Sequence, residues 1–167
     1  MIRIALPDDL PALVSIYNEA VASRATADTV AVTVKSRREW FDTHEPAVHP
    51  IFVCEEASEL IGWSSLSAYR RGRMALRFTA EISYYIRTDA RRKGIASRLI
   101  RHSLEVCPSL QIKNLFAVVL ERNMASQMLL GKFGFERWGF LPRVADFEGE
   151  ECGHYYYGRR VLWPKSP

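Results

Sequence analysis

Arg91, Arg92 and Lys93 bring three positive charges against Gly94, and Ile95 and Ala96 then open a helical pattern. Residue types in that order suit an anion. The first N–H groups of a helix have no partner inside it, and the helix dipole favours negative charge there. A glycine lets the backbone approach a ligand where a side chain would stand in the way, and successive amides can form an anion-holding nest. The spacing is neither the dinucleotide fingerprint G-x-G-x-x-G nor the nucleotide loop that ends in Gly-Lys-Ser/Thr. Taken alone, the segment fits a basic turn capping an ordinary helix equally well.

The elements around this turn are legible from pattern. Residues 79–87 read as a strand with Ile82, Tyr84 and Ile86 on one face and Glu81, Ser83 and Tyr85 on the other. After the turn, Ile95, Leu99, Ile100, Leu104 and Cys107 form an apolar helical stripe that ends before Pro108. Earlier, residues 2–5 read as a strand. Pro7, Asp8 and Asp9 then start a helix whose core positions are Leu10, Leu13, Ile16, Tyr17, Ala20 and Val21. Ser36 is placed as the cap of a short helix through Glu39, Trp40, Phe41 and His44. Residues 51–54 and 60–69 pair as a hairpin, and 115–120 is a short unbroken apolar run, read as a buried strand. A helix begins near Asn123 and ends near 132–134. Strands at 135–141 and 155–162, joined by an acidic loop at 146–151, complete the sheet.

Composition narrows the classes. A chain of 167 residues with 48% hydrophobic and 25% charged residues fits one soluble domain, taken here as 1–167. No apolar run approaches the roughly 20 residues a spanning helix needs, and Met1 leads straight into the first strand without a signal-like segment. A cytoplasmic protein with no membrane partner is expected. Cys54, Cys107 and Cys152 are odd in number and unpaired in spacing, and the four histidines lack ligand spacing, so neither a disulfide framework nor a metal site is expected. The net charge of +4 gathers at Arg70, Arg71, Arg73 and Arg77 and again at Arg87 and Arg91–Lys93. These clusters flank one strand rather than cover a face, which suits a small polyanion better than nucleic acid.

The pattern Arg91-x-x-Gly94-x-Ala96 resembles the pyrophosphate loop of the GCN5-related N-acetyltransferases (GNAT). Asn123-Met124-Ala125-Ser126 running into Lys132-Phe133-Gly134-Phe135 is similar to the second signature of that superfamily. The segments 73–81 and 2–20 resemble its phosphinothricin and methionine-sulfoximine acetyltransferase branch. The resemblance implies an α/β fold with a single mixed, mostly antiparallel sheet flanked by helices. It also implies transfer of an acetyl group from acetyl-CoA to the primary amine of a small amino acid or analogue, without a metal. A protein or peptide acetyltransferase and a non-catalytic CoA-sensing module are the alternatives. Relatives in this branch commonly pair, so a homodimer is expected.

The resemblance also implies roles. Arg91, Arg92, Lys93, Gly94, Ile95, Ala96 and Ser97 would clamp the cofactor pyrophosphate. The main chain of Tyr84, Tyr85 and Ile86 would pair with the pantetheine arm and steady the oxyanion. Asn123 and Ser126 would contact the same arm, with Asn123 also suited to cap its helix. Glu81 would be the general base, which requires burial to raise its pKa. Arg73 and Arg77 would hold the acceptor's acid group, residues 23–33 would line its pocket, and peptides would need an open groove instead. Three positions depart from the branch. Leu130 stands where the superfamily often has a proton-donating Tyr or His, leaving water or Tyr155, Tyr156 or Tyr157 to protonate the thiolate. Ala27 and Leu76 replace aromatic residues, which implies a larger or more apolar acceptor pocket.

Overall fold

The computed structural model describes residues 1–161. In chain order it forms β1 (Ile2–Ile4), α1 (Leu10–Ala22), α2 (Val34–Asp42), β2 (Ile51–Glu56), β3 (Glu59–Ala68), β4 (Thr79–Ile86), α3 (Ile95–Val106), β5 (Asn114–Leu120), α4 (Met124–Lys132), β6 (Glu136–Phe147) and β7 (Glu150–Arg160). The strands make one sheet in the order β1-β2-β3-β4-β5-β7-β6. Among the described residues only β4 and β5 run parallel, and α3 is the crossover that a parallel pair requires. This is the mixed, mostly antiparallel α/β sheet that the sequence resemblance implied.

Period-2 alternation along the strands builds two cores. Ala80 and Ile82 of β4 pack with Leu99 and Ile100 of α3, Leu115 of β5 and Leu130 of α4. On the other face, Val53 and Trp63 meet Leu10, Leu13 and Ile16 of α1 and Phe41 of α2. Trp63 is buried there, and its indole N–H donates to the Leu13 carbonyl at 3.0 Å, pinning α1 across β3. Glu19, at the far end of α1, accepts from both the backbone N–H and the hydroxyl of Thr88 at 2.6 Å. That clamp holds the segment leaving β4 in place.

Two local expectations change. The cap of α2 is Thr33, whose hydroxyl accepts from the Ser36 N–H at 3.0 Å, while the Ser36 hydroxyl accepts from the Thr33 N–H. Ser36 is the reciprocal partner inside the helix, which therefore starts two residues before it. The supposed acidic loop at 146–151 is mostly strand. The β6–β7 ladder continues to Phe147↔Glu150 and turns over only Glu148 and Gly149, both at positive φ. The last expected strand position, residue 162, lies outside the described residues.

Leu130 is fully buried, so its truncation leaves a cavity under α4. Leu130→Ala should cost about 2–5 kcal/mol, read as a fall of roughly 5–15 °C in the thermal melting midpoint.

Candidate active site

The parallel ladder between β4 and β5 spans Thr79↔Asn114, Ala80↔Leu115 and Glu81↔Phe116, and stops there. Beyond Glu81 the strands part. The direction of the freed backbone groups follows from the other edge of β4. Arg87 donates to the Ile61 carbonyl and Tyr69 donates to the Thr79 carbonyl, so odd-numbered residues of β4 bond to β3. Even-numbered residues point the opposite way. Accordingly the Phe78 carbonyl accepts from Lys113 and Asn114, and the Ile86 carbonyl lies 3.5 Å from Arg91 Nε. The main chains of Tyr84 and Ile86 therefore face the gap. Tyr85 was expected to contribute its main chain too, but that edge is already paired with Trp63 of β3. It contributes its ring instead.

At the open end of the gap, the turn enters α3 through Gly94, the helix cap, at φ +79°. A side chain would meet no neighbour within 4 Å there, so the requirement for glycine is conformational. Arg92 also adopts the left-handed region, at φ +62°, a strained position for a residue with a side chain. The first helical bond of α3 runs from Arg98 to the Gly94 carbonyl, leaving the amides of Ile95, Ala96 and Ser97 without partners inside the helix. A groove of about 490 Å³ runs from this turn into the gap.

Arg91, Arg92, Gly94, Ile95, Ala96 and Ser97 line the groove, together with Tyr84, Tyr85 and Ile86. Lys93 does not line it and is exposed. From the opposite wall α4 contributes Ser126, Lys132 and its cap residue Asn123, whose side-chain oxygen accepts from the Ser126 N–H at 3.1 Å. Tyr84 carries a buried hydroxyl beside the Ser126 side chain, and burial pushes its pKa up to about 12. Unpaired amides, positive charge at one end and an open strand edge at the other fit a long molecule with a polyphosphate head and an amide-bearing arm.

A second cavity, of about 230 Å³, lies on the other face of β4, and Tyr85 lines both. Its floor is the odd face of β4 and β3: Glu81, Ser83, Ser65 and Ser67. Tyr17, Trp40, Trp63 and Tyr85 form its walls. Glu81 is half-buried, has no hydrogen-bond or ion-pair partner among the described residues, and its carboxyl is pushed above the ordinary range by desolvation. A carboxylate in this state is a stronger base than a free one.

Several expected site residues lie elsewhere. Arg73 and Arg77 belong to a separate surface depression with Tyr69, Arg71 and His49; Arg77 donates to the Met74 carbonyl and lies over the Phe78 ring. The short turn Met74–Leu76 lies between these two arginines. The cation in the Glu81 cavity is Arg37 of α2, which the sequence pattern did not single out. Ala27 and Leu76 do not line this cavity either, so their substitution says nothing of its size. Residues 23–33 reach it from behind through Asp28, which bonds Tyr17 and Arg37. Leu130 is core. Tyr155 packs on Phe140, Tyr156 on Phe116, and Tyr157 bonds Gln127 and Arg137, so none of these lines the groove.

The chain belongs to the GNAT acetyltransferase family, whose domain matches residues 1–136, and is an N-acetyltransferase. Among similar proteins is YwnH of Bacillus subtilis (strain 168), provisionally named a phosphinothricin acetyltransferase. It is 38% identical over 162 residues, covering 96% of this chain and 98% of its own. The L-methionine sulfoximine/L-methionine sulfone acetyltransferase of Pseudomonas aeruginosa is 34% identical over 156 residues, covering 92% and 88%. A solved Sinorhizobium meliloti phosphinothricin acetyltransferase in complex with acetyl-CoA superposes with a TM-score of 0.89 at 28% identity, covering 96% of this chain and 88% of that one. Acetyl-CoA is the cosubstrate. Among the described residues no three or more His, Cys, Asp or Glu side chains are grouped to hold a metal, and no helix is long and apolar enough to cross a membrane.

Gly94→Ala forces a side chain into the left-handed region at a cost of about 1 kcal/mol and distorts the amide cradle. Titration calorimetry with coenzyme A should show weaker binding, while the thermal midpoint falls only a few degrees.

Proposed function

We propose that the protein acetylates the α-amine of a small amino acid or amino-acid analogue, with Glu81 as general base. The observation that carries this reading is the junction at Tyr85. A groove suited to the coenzyme opens there beside a cavity holding a desolvated, unpaired carboxylate. The cavity, of about 230 Å³, suits a compact acceptor. The relatives named for methionine sulfone and phosphinothricin support the same acceptor class.

Acetyl-CoA supplies the acetyl group as a thioester, an acyl donor with a good leaving group. In this assignment the amides of Ile95, Ala96 and Ser97 hold the pyrophosphate, with Arg91, Arg92 and Lys132 adding charge. Tyr84 and Ile86 present their main chain to the pantetheine arm, and an N–H on this freed edge stabilises charge developing on the thioester oxygen. Asn123 and Ser126 face the arm from α4. An α-amine has a pKa near 8 and is mostly protonated at neutral pH. Glu81 removes that proton, the amine lone pair forms the C–N bond, and the C–S bond breaks to leave the thiolate. The nitrogen then carries one proton more than the amide; Leu130 offers the thiolate none, and water in the groove passes this second proton from nitrogen to sulfur.

A homodimer and a cytoplasmic location belong to the same proposal. Trp138, Phe140, Leu141 and Val144 lie exposed along β6, the edge of the sheet, where a second copy would cover them. Dependence on a polyanionic cosubstrate that does not cross membranes favours the cytoplasm. Light scattering should then report a mass near twice 19.1 kDa.

Glu81→Gln tests the base. Turnover of methionine sulfone should drop about 10²- to 10⁴-fold, with coenzyme A affinity unchanged; unaltered turnover would remove Glu81 from the mechanism. The base works deprotonated, so in the wild type kcat/KM should fall as pH drops. Because burial raises the Glu81 pKa, that inflection should lie above the ordinary carboxylate range.

A further inference from the structure

We propose that Arg37 reads the carboxylate of the acceptor, and that Asp28 occupies Arg37 until an acceptor arrives. The assignment rests on the Glu81 cavity being the acceptor site. Arg37 extends from α2 into that cavity, where it and Glu81 bring opposite charges to one aromatic chamber. An α-amino acid carries the complementary pair, an amine for Glu81 and a carboxylate for the guanidinium.

Arg37 is held but not saturated. Its guanidinium lies 4.7 Å from the centroid of the Tyr17 ring, and Nη2 donates to Asp28 at 2.6 Å. Nη1 and Nε have no partner among the described residues. The Tyr17 ring beneath it and the bond to Asp28 hold the guanidinium in place; Nη2 carries two N–H groups, so the one not given to Asp28 can act with the N–H on Nε or Nη1 as a fork for a bidentate carboxylate. The Arg37 side chain is 28% exposed, so its charge is partly desolvated and costly to leave without a counterion. Asp28 offsets that cost in the free protein. It is the more exposed partner, at 42%, and also accepts from the Tyr17 hydroxyl at 2.6 Å. Asp28 sits on a segment without regular structure between α1 and α2, so it can yield its place at little cost in packing.

The chemistry sets a substrate class. A free amino acid satisfies both ends of the chamber. A decarboxylated amine, a carboxamide or a peptide N-terminus leaves the Arg37 donors facing no charge. The rings of Trp40, Trp63 and Tyr85 bound the remaining space, with Trp63 and Tyr85 centroids 4.7 Å apart, and suit a compact apolar or sulfone side chain.

The test compares methionine sulfone with its decarboxylated amine in the wild type and in Arg37→Gln and Arg77→Gln. The wild type should prefer the amino acid about 100-fold in kcat/KM. In Arg37→Gln the KM for methionine sulfone should rise about 100-fold with kcat within a few-fold, and the preference should fall close to unity. Coenzyme A affinity by calorimetry and the melting midpoint should stay near wild type, which separates a lost anchor from a damaged fold. Arg77→Gln should retain the preference. Asp28→Asn, which keeps the side chain's shape and removes its charge, should lower the KM for methionine sulfone severalfold. Retention of the acid preference in Arg37→Gln, or its loss in Arg77→Gln, overturns the assignment of Arg37 alone. A wild type that binds coenzyme A but acetylates neither compound overturns the acceptor class itself, and this assignment with it.

Discussion

Three residue pairs of parallel ladder, then separation, is the constraint on which the rest of the site depends. A parallel pair wants a continuous row of evenly spaced bonds, and β4 and β5 give that up beyond Glu81. The loss is possible because β4 keeps its full antiparallel ladder with β3 on one side, while β5 keeps its own with β7 on the other. Each strand is thus held by a single neighbour where most interior strands have two. The gap between them has walls of fixed geometry and an unpaired main-chain edge.

The same strand separates two environments. Its even residues face a core of aliphatic side chains from α3 and α4, and its odd residues face the aromatic chamber under α1 and α2. Glu81 stands at the last paired position, the point where the ladder ends and the chamber begins. Its carboxylate lies among hydroxyls and rings, with no cation bonded to it. Desolvation then dominates its proton affinity and raises it, the direction a base requires. A guanidinium paired directly with Glu81 would have lowered that affinity. Arg37 is turned toward Asp28 instead, which keeps the two charges of the chamber in separate service.

Much of this was legible beforehand because local rules and tertiary structure agree. The alternation of 79–86, the apolar stripe of α3 and the glycine in a basic turn each report on neighbours a few residues away, and the fold did not override them. Asn123 was readable as a cap for the same reason. What escaped depends on contacts between distant segments. Arg37 sits in Lys35-Ser36-Arg37-Arg38-Glu39, which reads as a solvated helix face; only the packing of α2 beside Trp63 and Tyr17 turns one of these charges inward. Arg73 and Arg77 are the opposite case. The resemblance implied that they hold the acceptor's acid group, but they line a depression apart from the Glu81 cavity, with a short turn at Met74–Leu76 between them. The true length of β6 and β7 was hidden by charged residues that tolerate an exposed edge strand.

The open edge of β4 has one further meaning. An arm that docks there stands in for the missing run of β5, so the free protein is a sheet lacking part of one of its rungs. Ligand that binds only the folded chain adds stability by mass action, about 2.7 kcal/mol when present at a hundred times its dissociation constant. That is a substantial fraction of the whole for a domain of this size. Resistance to unfolding, and with it to proteases that attack the opened chain, therefore rises and falls with the supply of coenzyme.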